Sequence, residues 1–334
     1  MDTVLVKEFR ANQLECIHRG SISIVNNEGK VIQYAGDPHY IAFTRSSAKP
    51  IQAIPGVRAG IIEHYGLSEA DIAVMVASHR GEEDHMGTLN EMLQKIGVDE
   101  QKLVCAPSLP LNQEATINIL RHGGDRRRLY HNCSGKHLGA LAYSQMKGYS
   151  LEDYADSKHP VQQEIVQTLA QLANLSQDDI TIGVDGCGFP VFALPLSALA
   201  TAYMKLANPQ LIQDQATATA VATITKAMNK HPRLVAGTGM VDSILLEDDN
   251  IVAKGGFKGV YAFALKKEQL GITFKIADGS EEEWGLVVTS ILEQLQYERP
   301  QTIQKLKQAF PNSIYNDAGN EVGMSICEFK LERH

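Results

Sequence analysis

Ser21-Ile22-Ser23-Ile24-Val25 alternates polar and apolar side chains, Asn26-Asn27-Glu28-Gly29 interrupts with turn-forming residues, and Lys30-Val31-Ile32-Gln33-Tyr34 resumes the run. Period-two alternation on both sides of an Asn/Gly turn predicts a β-hairpin. The stretch that follows, 46–60, places Ile51, Ile54 and Val57 ahead of Ile61 at a helical spacing despite Pro50 and Pro55. Pro50 suits a helix's first turn, where the missing N–H is not needed. Most segments from 68 to 230 read as helices: 68–77, 84–96, 137–146, 160–173, 194–206 and 209–228, the last with Asn208 as its cap. Beyond Leu234 the strand-type runs return at 243–246, 251–253, 259–264, 272–276 and 324–329, and Ser280 ahead of Glu281-Glu282-Glu283 reads as a capped helix start.

Strands at both ends of the chain with helices between them predict an α/β (α+β) fold, a mainly antiparallel sheet built from both termini with an inserted helical lobe. The expected organisation is one unit over 1–334, with a sheet lobe over about 1–65 and 230–334, a helical lobe over about 66–229, and a ligand cleft between them. No repeat, low-complexity tract or linker marks a boundary.

The 334 residues are 44% hydrophobic and 21% charged, an ordinary globular composition. A formal net charge of -8 offers no footprint for nucleic acid, and the basic run Arg126-Arg127-Arg128 is too short to supply one. No stretch approaches the ~20 apolar residues of a membrane span, and residues 1–20 mix charge with polarity where a signal peptide has an apolar core, so a cytoplasmic protein is expected. Five scattered cysteines suit reduced thiols.

The sharpest chemical signal is Arg45-Ser46-Ser47-Ala48-Lys49-Pro50, in which Ser46 and Lys49 form an S-x-x-K pair. On a helix that spacing puts hydroxyl and amine on one face, and a lysine kept partly neutral by burial can take the serine's proton. The same three letters also describe a serine cap followed by a surface lysine. A second pair is distant in sequence: Ser78 in Ala77-Ser78-His79-Arg80-Gly81-Glu82, and Lys254 in Ala253-Lys254-Gly255-Gly256. A strand lysine before two small residues is similar to the K-T-G element of serine β-lactamases, which also carry S-x-x-K. An exposed strand lysine beside a glycine bulge is the structural alternative. Cys133 in 131–137 and Cys187 in 184–190 could hold zinc or fill the core as small hydrophobes. The Gly-rich run Val235-Ala236-Gly237-Thr238-Gly239-Met240 fits neither dinucleotide nor phosphate loop, and is read as a close backbone approach whose Thr238 and Gly239 contact a small substrate.

Taken in order, these elements resemble the type II L-asparaginases of the Rhizobium type, called class 3. The matching stretches are 45–50, Ala77-Ser78-His79, Gly81-Glu82, Asn132-Cys133-Ser134-Gly135-Lys136-His137, His159-Pro160-Val161-Gln162-Gln163, Asp185-Gly186-Cys187-Gly188, Ala193-Leu194-Pro195-Leu196 and 235–239. The resemblance implies a fold similar to serine β-lactamases and glutaminases, a homodimer, and hydrolysis of L-asparagine to L-aspartate and ammonia. It implies two Ser-Lys tandems, Ser46 with Lys49 and Ser78 with Lys254, and a zinc ion on Cys133, Lys136 and Cys187 with Asp185 beside it. Ser46 is the expected nucleophile, with Arg45 or His79 taking the substrate carboxylate and Asp185 its ammonium. Arg80 stands where the family often has serine, and Phe257-Lys258 where it has a small-acidic pair.

Overall fold

Strand β1 (Thr3–Arg10) turns through Ala11 and Asn12 into the long β2 (Gln13–Val25), and β3 (Val31–Ala35) follows. The turn expected at 26–29 is closed by the Asn26 side-chain oxygen, which accepts from the Glu28 and Lys30 amides, and by Gly29 at φ +76°. These strands belong to a computed structural model that describes all 334 residues. Three short strands, β4 (Ile41–Phe43), β5 (Thr181–Val184) and β6 (Pro190–Pro195), make a small sheet in the order β4-β6-β5. The remaining strands are β7 (Ile251–Gly255), β8 (Val260–Leu265), β9 (Leu270–Ile276), β10 (Ser313–Tyr315), β11 (Glu321–Cys327) and β12 (Glu332–Arg333). The large sheet runs β10-β11-β1-β2-β9-β8-β7, with β3 on β2 and β12 on β3, antiparallel throughout. Both chain termini contribute to it, which is the α+β architecture expected.

Alternation along β7 and β8 sends side chains into two cores. Val252, Val260, Ala262 and Ala264 join the larger core shared with the helices of the chain's middle. Ile251, Ala253, Tyr261, Phe263 and Leu265 join a second core beneath helices Trp284–Gln294 and Pro300–Ala309. Each fully buried Val, Ile or Phe contributes about 1.5–3 kcal/mol of transfer free energy, so the two-faced burial fixes the strand register. Lys254, two residues after Val252, therefore points to the helical side.

Several local expectations are corrected. The stretch after Phe43 is not one helix: it is a 3-10 turn, Arg45–Ala48, followed by the short helices Lys49–Gln52, Ile54–Ala59 and Ile61–Tyr65. Gly60, at φ +96°, ends one and starts the next. The 209–228 helix begins at Gln215, capped by the Asp214 carboxylate on the Thr217 amide, and Pro209–Leu211 is a 3-10 turn. The run 243–246 is part of a helix, Val241–Leu246, because a short apolar run carries no period of its own and here Ser243 Oγ donates to the Gly237 carbonyl. The helix expected from Ser280 starts at Trp284 with Glu283 at its cap position. No helix is long and apolar enough to cross a membrane.

Candidate active site

A cavity of about 500 Å³ opens where the 3-10 turn Arg45–Ala48, the segment after helix Glu69–Met75, and the end of β7 meet. Ser46, Ser78, Lys254, Cys133, Cys187 and Asp185 all line it. Its size is that of a small-molecule site. The Lys49 amide donates to the Ser46 carbonyl and closes the turn, so the two residues stand one 3-10 turn apart. Ser78 is fixed by its own amide, which donates 2.9 Å to Val235 O.

Lys49 is wholly buried and has no carboxylate partner. Its ammonium donates to Ala77 O at 2.5 Å, to Ser78 Oγ at 3.1 Å and to Asn132 O at 3.4 Å. Burial, reinforced by the charges of Lys136 and Lys254 and resisted by Cys133, lowers its pKa to about 8. Ser46, 6% exposed, makes no side-chain hydrogen bond and presents its hydroxyl to the cavity. The structure thus pairs Lys49 with Ser78, where Ser46 was the partner expected.

Lys254 is the second correction. It is 1% exposed, not a surface strand lysine. Its Nζ donates 2.6 Å to Asp242 Oδ2 and 3.0 Å to Gly255 O, not to Ser78. Asp242 Oδ1 also accepts from the Gly255 amide at 2.9 Å and from Tyr261 Oη at 2.7 Å. A Cβ at Gly255 would lie 3.0 Å from that same oxygen and 2.8 Å from the Trp284 ring, so only glycine lets Asp242 approach. Asp242 belongs to the helix misread as a strand and had no motif to announce it.

Cys133 and Cys187 face one another. The neighbouring Cys187 thiol, together with the Lys49 and Lys136 charges, holds Cys133 well below the usual thiol range despite its burial. The proximity of Cys133, with burial, pushes Cys187 up. Burial opposes the charge on Lys136, but Cys133, Cys187 and Asp185 outweigh it and raise its pKa. Two sulfurs and an amine that perturb one another's protonation are a donor set that fits a thiophilic ion such as zinc, whose binding would release their protons.

Arg45 holds a left-handed backbone, φ +50°, a strained conformation for a non-glycine residue. Its guanidinium is pinned 2.7 Å from Asp185 Oδ1 and 5.0 Å from the Phe257 ring centroid. Arg80 and Phe257, the two departures from the family pattern on the wall, line the cavity, and Lys258 does not.

Three expected substrate contacts are not on the wall. His79 is 0% exposed, its Nε2 2.9 Å from Ser134 Oγ, and burial with the charges of His85 and Lys49 lowers its pKa to about 3. It is neutral and sealed off. Thr238 is engaged through its amide and hydroxyl by Glu82, at 3.0 and 2.9 Å, and faces an adjoining groove. Gly239 is absent from the cavity lining, where Ala236 and Met240 of the same segment stand.

Residues 6–326 match the family model described as L-asparaginase II. No curated protein matches at a significant level. Among solved structures, a β-lactamase from Mycobacterium bovis is 14% identical, covering 82% of this chain and 94% of its own, with a TM-score of 0.39. A glutaminase from Bacillus is 13% identical over 83% and 91%, with a TM-score of 0.39. A D-alanine carboxypeptidase from Burkholderia cenocepacia is 14% identical over 82% and 93%, with a TM-score of 0.40. On the family match over nearly its whole length, the chain belongs to the L-asparaginase II family, with an amidase-type function.

Proposed function

We propose that this cavity hydrolyses the side-chain amide of L-asparagine to L-aspartate and ammonia through a seryl ester. The observation that carries the reading is a buried lysine of lowered pKa in contact with a serine hydroxyl, at the wall of a cavity that a second, unengaged serine also lines. Ser46 is the nucleophile: its oxygen is free to attack the amide carbonyl. Ser78 and neutral Lys49 form the path for its proton, which returns through Ser78 to the departing nitrogen so that ammonia leaves. Water then attacks the aspartyl ester by the same path and frees Ser46. The ion-paired Lys254 stands at the cavity wall as a fixed positive charge for the developing oxyanion.

An amino acid is a zwitterion, and the Arg45–Asp185 pair is its complement. The substrate carboxylate takes Arg45 and its ammonium takes Asp185, each already oriented by the other. Cys133, Lys136 and Cys187 would hold zinc, which when bound supplies a Lewis acid or clamps the two cysteine segments.

A coupled ammonia assay with L-asparagine, D-asparagine and L-glutamine tests the reading, with turnover expected to be greatest on L-asparagine. Preference for L-glutamine would make the chain a glutaminase, and ammonia from no amide would remove the enzymatic reading. Ser46→Ala is expected to lower kcat by roughly 10⁴ or more. A variant within about tenfold of the parent would remove Ser46 from the nucleophile's place.

A further inference from the structure

On the face of β1 and β2 that packs beneath the C-terminal helices, two carboxylates and an imidazole converge. Glu8 on β1, His18 on β2 and Glu283, at the cap of helix Trp284–Gln294, bring one ligand atom each within 4.8 Å of one another. Strand register puts them there: Glu8 pairs with Cys16 and Val6 with His18, so Glu8, Cys16 and His18 share a face. Glu283 is 3% exposed and its Oε2 has no hydrogen-bond partner. Its nearest titratable neighbour is His18, and Glu8 accepts from Ser325 Oγ; neither carboxylate forms an ion pair with a lysine or arginine. A carboxylate buried in this way requires a positive charge beside it.

His18 is oriented to hold a cation there. Its Nδ1 lies 2.7 Å from Asp278 Oδ2, an acceptor that places the N–H on that nitrogen and leaves the other facing Glu283. Nε2 is buried, lacks a hydrogen-bond partner and sits 3.3 Å from Glu283 Oε1. A carboxylate behind the far nitrogen, with the near nitrogen facing Glu283 and with Glu8 in the same cluster, is the outer-sphere arrangement that orients metal-bound imidazoles.

We propose that Glu8, His18 and Glu283 form a binding site for a first-row divalent transition ion, for which Zn²⁺ is the matching probe, with water or the Cys16 thiol beside Glu8 completing four ligands. The donors are separate from the Cys133, Lys136 and Cys187 set. The ion fastens the β1–β2 pair to residues 281–284, of which Glu281 and Trp284 line the catalytic cavity. It thereby stiffens one wall of that cavity.

The test uses the full-length protein stripped with chelator, then titrated with Zn²⁺ while bound metal is counted by mass spectrometry and Tm is followed. The parent is expected to hold one equivalent more than Glu283→Gln or His18→Gln. Stripped Glu283→Gln, which loses a buried uncompensated charge, is expected to melt above the stripped parent, and the order reverses when Zn²⁺ is added. Co²⁺ substitution gives a second readout, a visible absorption component present in the parent and missing from both variants. Equal stoichiometry and equal affinity in parent and variants would overturn the site and leave His18 as a protonated ion-pair partner. Should His18→Gln fail to fold, the near-isosteric Glu283→Gln decides.

Discussion

Lys49 and Lys254 are both buried lysines beside one cavity, yet they are held in opposite ways. Lys49 is hydrogen-bonded only to neutral acceptors, two carbonyls and a hydroxyl, and burial, resisted by nearby Cys133, has lowered its pKa to about 8. Lys254 has the Asp242 carboxylate at 2.6 Å, itself held by Tyr261 and the Gly255 amide. The difference teaches that burial alone does not make a base. A carboxylate within hydrogen-bonding reach engages the same side chain as an ion pair, and without one burial leaves Lys49 able to exchange a proton near neutrality.

The comparison breaks most visibly at Lys49. Lys49→Met is expected to lower kcat by about 10²–10⁴, the usual worth of a positioned base, while leaving the melting temperature unchanged or higher because an unpaired buried charge has gone. A variant that loses activity only because it unfolds would contradict the assignment. Asp242→Asn is expected to act the other way round, destabilising by about 3–5 kcal/mol because it strands the Lys254 ammonium. Adding Lys254→Met to it should recover much of that loss in the melting temperature, and additive losses would argue that the two residues do not act as a pair.

Acidity sharpens the contrast. Because Lys49 is active when neutral, kcat/KM should rise with pH and level off above about 8. Stability carries a matching signature. The folded protein gives up the Lys49 proton near pH 8 and the unfolded chain near 10.5, so in that window the unfolded state binds more protons and stability rises with pH. Lys49→Met should flatten both dependences, and a profile that Lys49→Met leaves unchanged would point to another group. The smallest effect is expected at Phe257→Leu, which removes the ring under Arg45 at 5.0 Å. A loss of about 0.5–1 kcal/mol there should raise KM a few-fold with kcat nearly kept.

The same two lysines show what was legible in the sequence. Ser46, Lys49, Ser78, Lys254, Cys133 and Cys187 were identifiable because motif spacing and the chain-long resemblance selected them, and the structure brings all but Lys49 onto one cavity wall, with Lys49 directly behind Ser78. Which hydroxyl meets which amine was not legible. That depends on Asp242 occupying Lys254, and Asp242 sits in a six-residue helix whose apolar run reads equally well as a strand. His79 and Thr238 failed for a related reason. Each lies within a motif, but each is engaged by a residue distant in sequence, Ser134 and Glu82, and so faces away from the cavity. The sheet was legible wherever one period of two was clear, as at 21–34. It was not legible at β1, where register shifts interrupt the alternation, or at β5 and β6, which are short strands within an otherwise helical stretch.

The most direct test of the central claim is peptide mapping by mass spectrometry after rapid acid quench of the protein turning over L-asparagine. The account predicts an aspartyl ester on the peptide that carries Ser46, accumulating in the parent and missing from Ser46→Ala and Lys49→Met. An ester on Ser78 or on a cysteine, or undiminished ammonia release with no ester on any residue, would contradict it.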